Sequence, residues 1–403
     1  MAAQRCGPSF QFLTPICQLP TTMTSRERVI AAFQHTRPDR TPLFEKLIKS
    51  PAADELLGRP CAASNFHYRM ERLADGDWRG LQEQAARDEI DLCKVLGFDM
   101  VRLYPNEGPP AERPVRVDER TWRIGRLLSE RLDSGWIRTV DSDAKPVPEA
   151  QQEADMIRWL EADWQSVDRP FSDDNLVLFR TGCQIIADEG LDLAIFTSAY
   201  GHGVATLPPY LLQWYVFGRD HLHEYYRRHT LSSLAVAQQL VDEGAHVIGL
   251  GGDFASDHGS MCSPRDYREF IAVRIAEQSR ALHARGVFTT NASDGDLWSV
   301  LDDFLGTADV DGFEEIDFAA GMDLRRLKRD YGRFTFIGNI DIRHTLTHGT
   351  VAQVKEHTKR CIEDGMAYSP GGHILMSGNC IHENVKTDLF LAHIEAYREY
   401  FGL

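Results

Sequence analysis

Residues able to do chemistry recur in this 403-residue chain at one kind of place, directly after short apolar runs. Glu45 and Lys46 follow one such run, and Tyr104 closes the next, ahead of Asn106 and Glu107. His202 stands between Gly201 and Gly203, and Asp253 follows a glycine pair, with Asp257 and His258 close behind. Asp294 lies in Ser293-Asp294-Gly295-Asp296, and Glu314-Glu315-Ile316-Asp317 comes next. Asn339 and Asp341 flank Ile340, and the last run releases Asn379, Cys380 and His382. Carboxylates grouped with an imidazole suit proton transfer, because repulsion and desolvation push one acid's pKa towards neutrality. Asp253, Asp294, Glu314 and His382 are accordingly the candidate catalytic residues. Glu45, Tyr104, His202, Asn339, Asp341 and Asn379 are the candidate substrate-binding residues.

Each has a plainer reading beside it. Asp253 could cap a turn, Asp294 and His382 could cap helices, and Asn339 and Asp341 could fix loops by hydrogen bonding. Strand alternation lets only one of Glu314 and Glu315 face inward, leaving the other at the surface. Asp257-His258 reads as a solvated pair. Cys93, Cys183 and Cys361 fall on helical stretches and read as packing, which leaves Cys380 as the thiol to test. No dedicated metal site is expected. Asp294, Glu314 and His382 could at most form an oxygen-rich site for zinc or another divalent cation.

The elements that must position these groups alternate along the chain. Candidate strands at 41–44, 100–104, 193–197, 246–250, 287–290, 312–316, 334–338 and 373–376 are separated by amphipathic helical stretches. Eight buried-type strands alternating with helices predict an α/β fold, a (β/α)8 TIM barrel whose reactive groups sit on the loops leaving the strands. An open doubly wound sheet is the competing architecture. Its dinucleotide fingerprint is missing, since Gly249-Leu250-Gly251-Gly252-Asp253 lacks a third glycine opening a helix. The reading is a leader at 1–22 and one barrel domain at 23–403, with an insertion at about 107–168. The insertion combines a hairpin (121–130 and 136–141) with a polar helix. Thr24 or Ser25 is expected to cap the first helix.

Forty-four Lys and Arg against sixty Asp and Glu leave a net charge of −16. That sign disfavours nucleic acid and anionic membrane surfaces as partners. No stretch approaches the roughly 20 apolar residues of a membrane span, and 1–22 lacks the apolar core of a secretion signal. The eight cysteines are scattered without a Cys-x-x-Cys pair, as expected of reduced thiols, so a cytoplasmic protein is expected.

A family resemblance accumulates from these pieces. Thr24-Ser25-Arg26-Glu27-Arg28-Val29 and Arg37-Pro38-Asp39-Arg40-Thr41-Pro42 resemble the opening of the uroporphyrinogen decarboxylase superfamily. Ser263-Pro264, Ser293-Asp294-Gly295, Ala320-Gly321-Met322-Asp323-Leu324, Ile337-Gly338-Asn339-Ile340-Asp341 and Gly371-Gly372 continue the likeness in order. The resemblance implies a (β/α)8 barrel, often a homodimer. It implies either cofactor-free decarboxylation or methyl transfer with a corrinoid protein or a thiol acceptor. Two departures bear on the choice. The arginine-bearing loop that grips the carboxylates of the namesake substrate reads Phe44-Glu45-Lys46-Leu47-Ile48-Lys49 here, and its essential aspartate position offers Tyr104-Pro105-Asn106. The His-x-Cys and Cys positions of the zinc methyltransferases are Ala292, Asp294 and Asn379. The expectation is therefore a lyase working without a cofactor on a small polar or aromatic substrate, with Asp253, Asp294 and His382 managing protons. A methyltransferase or demethylase is the alternative, and a ligand-binding barrel without turnover is the third reading.

Overall fold

The computed structural model describes residues 22–165 and 169–403, so all but Thr22 of the expected leader lies outside the described residues. A parallel sheet of seven strands curls into a half-barrel: β1 (Met100–Arg102), β2 (Ala194–Ser198), β3 (Val247–Gly251), β4 (Phe288–Ala292), β5 (Gly312–Glu314), β6 (Thr335–Ile337) and β7 (His373–Ile374). The strands lie in chain order, each joined to the next by a helical crossover, which is the arrangement the alternating pattern demands.

The expected strand at 41–44 forms no ladder and pairs only through a bridge from Leu43 to Leu375. The cause is local. Pro42 has no N–H to donate, and the Leu43 N–H is taken by the Asp99 carboxylate at 2.9 Å instead of a strand carbonyl. Hydrogen bonds still run both ways from this segment: Phe44 N–H to the Leu375 carbonyl at 3.0 Å, and Asp99 N–H to the Leu43 carbonyl at 2.8 Å.

Alternation along the strands divides the core in two. Val101, Ile195, Ile248, Phe313 and Phe336 face the helices within the main apolar cluster. Phe44, Met100, Phe196, Val247, Ile337 and Ile374 form a second cluster on the inner face. The N-terminal helix (Ser25–Phe33) closes the base of that inner space with Val29, Ala32 and Phe33, and Phe33 stacks on Phe288. Thr24 begins this helix with a capping box shared with Glu27. The insertion folds as an antiparallel sheet, Val115–Arg116, Thr121–Ile124, Leu127–Arg131 and Ile137–Asp141, followed by the helix Glu149–Glu161. Its last turn carries Ser134 and Trp136 back over the ends of the parallel strands.

Candidate active site

Above the inner apolar cluster lies a cavity of about 840 Å³ at the C-terminal ends of the strands. Asp253, Asp294, Glu315, Asp317, Asp341 and Glu383 reach its wall, against a single arginine, Arg343. Tyr200, Tyr225, Phe318 and Trp136 supply aromatic surface.

Asp294 is the most perturbed of these acids. Burial pushes its pKa up to about 8, and the neighbouring charges of Glu315, Asp253 and Asp317 add to the rise. The Asn379 side-chain amide donates to Asp294 Oδ2 at 2.6 Å, opposing the rise only in part. Asp253 is also raised, by burial first and by Glu315 second. The His382 imidazole is held below its usual pKa by burial, which favours its neutral form, and its Nδ1 accepts from Asn384 N–H at 3.2 Å. Asp341 lines the wall while capping the next helical turn, accepting from His344 and Thr345 N–H.

Beneath the cavity floor sits a buried polar cluster. Lys46 Nζ lies 3.4 Å from Glu314 and 2.5 Å from Glu315. Glu314, fully buried, also accepts from Thr290 Oγ1 at 2.9 Å and Tyr200 Oη at 3.3 Å. Gly249 leaves the room this carboxyl occupies, since a Cβ there would stand 2.5 Å from Glu314 Oε1. Burial works against the Lys46 ammonium, but Glu314, Tyr200 and Glu315 outweigh it and raise its pKa well above the usual value. Glu45 is buried beside this cluster, where Ser377 donates to it from Oγ at 2.7 Å and from N at 3.2 Å. Burial raises its pKa to about 8.

Asp253, Asp294, His382, Asp341 and Asn379 thus reach one cavity, and five other expected positions lie elsewhere. Glu314 and Glu45 belong to the layer below. The expectation that one of the glutamate pair faces solvent also fails. Glu315 leaves the strand with a φ of +67°, which breaks the alternation and turns its side chain to the cavity wall. His202 is a core residue, 1% exposed, stacked on Tyr226 and bonded to Thr230 Oγ1 at 3.0 Å; burial lowers its pKa to about 3. Asn339 is buried against the Met322 carbonyl at 3.0 Å, where it fixes a loop. Tyr104 faces a second cavity. Asp257 is exposed, as its solvated reading expects, and makes a two-pronged ion pair with Arg343, which also reaches Asp317 at 2.6 Å. Cys380 does reach the cavity, but burial raises its thiol to about 11, leaving it protonated.

Several wall residues escaped the strand-end pattern. Tyr225 and His229 come from the long helix Arg219–Asp242, where their i,i+4 spacing brings the rings together, tilted, with centres 4.2 Å apart. Trp136 comes from the insertion. Arg343, two residues past Asp341, was within reach of the pattern and carries the one positive charge on the wall.

The family model described as uroporphyrinogen decarboxylase (URO-D) matches residues 195–400, just over half the chain. The chain belongs to the uroporphyrinogen decarboxylase family. Among solved structures, a methyltransferase from Methanosarcina mazei is similar over 94% of this chain and 99% of its own, with a TM-score of 0.63 and 17% identity. A xylose isomerase-like TIM barrel protein from Mycobacterium smegmatis, in complex with magnesium, matches 63% of this chain and 90% of its own at 12% identity and a TM-score of 0.32. No curated protein matches the chain. The URO-D match covers β2 to the last helix, Thr387–Phe401, and so contains every wall residue except Ser134 and Trp136 of the insertion.

The zinc used by methyltransferases of this family does not fit the donors present. At the three positions, Ala292 has no ligating atom, and the Asn379 amide is already donating to Asp294. Asp294, Glu314 and His382 do not converge either: among the described residues, no three His, Cys, Asp or Glu side chains stand together as a metal site. No helix among the described residues is long and apolar enough to cross a membrane.

Proposed function

We propose that this URO-D family member is a methyltransferase. It would take a methyl group from a small uncharged or cationic methylated substrate and pass it to an acceptor on a corrinoid protein or a thiol. The observation that carries this reading is the sign of the cavity. A decarboxylase must bind its substrate as a carboxylate, and here that anion would face Asp253, Glu315, Asp317, Asp341 and Glu383. The single wall arginine is already matched by Asp257 and Asp317, so no guanidinium fork is free to hold a substrate carboxylate. The fold likeness to a methyltransferase over nearly the whole of both chains supports the same choice.

Asp294 supplies the chemistry in this reading. With a pKa of about 8 its carboxyl carries a proton at neutral pH, and Asn379 on Oδ2 leaves Oδ1 to hold it. As the methyl group leaves, the bond from carbon to the substrate heteroatom breaks and its electron pair stays on the heteroatom. Asp294 then gives its proton to that atom, while the acceptor's nucleophile forms the new bond to carbon. A corrinoid protein or a thiol would supply that nucleophile. Tyr200, Tyr225 and Trp136 give the methyl-bearing group an apolar wall. The contacts of residues 42–44 with both edges of the sheet favour closure into an eight-stranded barrel around this cavity.

Incubation with methyl ethers and methylated amines, with reduced cobalamin or a small thiol as acceptor, should give methylated acceptor. Asp294→Asn should lower kcat by about 10²- to 10⁴-fold. The wild-type rate should fall as pH rises through about 8, where the acid loses its proton. Carbon dioxide release from carboxylic acids, without methyl transfer, would return the assignment to a decarboxylase.

A further inference from the structure

A second cavity, about 580 Å³, opens beside the first and shares only Trp136 and Glu383 with it. Its lining has the opposite character. Lys49, Arg69 and Arg131 point to it, and its two carboxylates already have partners, Lys49 among them. Asp54 accepts from Ser50 Oγ, Cys61 N–H and the Asn65 amide within 2.8 Å, and Glu383 lies 3.4 Å from Lys49. Among the described residues, the Arg69 guanidinium donates to the Ala62 carbonyl, at 2.6 Å, and to no carboxylate. On the hairpin, Arg120 and Arg138 pair with Asp133 and Glu130, whereas Arg131 has no carboxylate partner among the described residues. Two unmatched guanidiniums in one cavity stand out in a chain of net charge −16. The local field is positive: His67, also on this wall, has its pKa lowered by burial and then by Arg131 and Arg116. Between the charges, Phe66, Tyr104 and Trp136 provide flat apolar surface.

We propose that this second cavity binds a small aromatic carboxylate, its ring among Phe66, Tyr104 and Trp136 and its carboxylate on Arg69 and Arg131. Planar guanidiniums match a carboxylate's two oxygens, and the rings match a planar body. The site does not depend on methyl transfer, because Arg69, Arg131 and Tyr104 do not reach the first cavity.

Calorimetric titration of the full chain with benzoate, benzamide and inorganic phosphate tests the site. Benzoate should bind about 10-fold or more tighter than benzamide, which lacks the charge, and than phosphate, which lacks the ring. Arg131→Met should weaken benzoate by about 10-fold, and Arg131→Lys by less. Arg123→Met, at an exposed residue of the same hairpin, should leave it unchanged. Thermal melting of each variant guards against loss of the fold. Absence of benzoate binding, equal binding of benzamide or phosphate, or equal behaviour of the Arg131 and Arg123 variants would overturn the proposal.

Discussion

Asp294 and Lys46 show how far one side chain's behaviour depends on neighbours distant in sequence. The acidity of Asp294 is set by burial and by Glu315, Asp253 and Asp317, three carboxylates from two other loops. A pKa raised from 3.8 to about 8 means that folding takes up a proton between those values. The resulting stabilisation is complete below the lower value and is lost as pH climbs through the upper one. Melting curves from pH 5 to pH 9 should therefore show a smaller fall in Tm for Asp294→Asn than for the wild type. Lys46 makes the opposite case. It is the counter-ion of Glu314, which has no exposure, so Lys46→Met leaves that carboxyl unmatched. Urea denaturation should show a loss of about 3–5 kcal/mol, partly recovered in the Lys46→Met/Glu314→Gln double variant.

At the scale of the element, the sequence showed where strands end but not which way their last side chains turn. Asp253, Asp294, Asp341, Asn379 and His382 were legible because loops after parallel strands collect on one rim. His202 and Asn339 carry the same polar signal on the same kind of loop, yet turn inward to Thr230 and Met322. His202→Ala should cost stability, about 2–4 kcal/mol by denaturation, because it opens a hole beside Tyr226. The turn after β3 rests on Gly251, whose φ is +90° and where a Cβ would sit 2.0 Å from Asn291 Oδ1. That asparagine is held by the Phe304 carbonyl at 2.9 Å, so it has little freedom to move aside. Gly251→Ala should lower stability by more than about 1 kcal/mol and displace Asp253, lowering activity with it.

Across the whole molecule, one buried carboxylate joins the N-terminal segment to the sheet. Asp99, with no exposure, accepts from Arg28 at 2.5 Å and from Arg40 at 2.8 and 2.9 Å, and from Leu43 N–H. Arg40 in turn reaches Tyr397 on the last helix, whose hydroxyl donates to the Thr41 carbonyl at 2.7 Å. The arginines and aspartate that carried the opening family resemblance are therefore structural here: Arg28 bridges Asp39 and Asp99, and Arg40 pairs with the same Asp99 that holds the Leu43 N–H. Asp99→Ala should cost about 3–5 kcal/mol in urea denaturation, because it removes the carboxylate that Arg40 and the buried Arg28 share. The net charge has a counterpart at this scale. The wall of the first cavity shares the chain's acidic sign, while the second keeps unmatched arginines.

The sequence by itself determined the alternation of strand and helix, the family, and the rim on which polar loops gather. These follow from periodicity and short-range spacing, which act between residues close in the chain. Only the tertiary structure decided that Glu314 lies under the floor while Glu315 reaches the wall, that Arg343 is already matched, and that Trp136, Tyr225 and His229 complete the cavity. Those outcomes depend on contacts across many residues, on a single left-handed backbone angle, and on the desolvation that follows when several elements close over the same space.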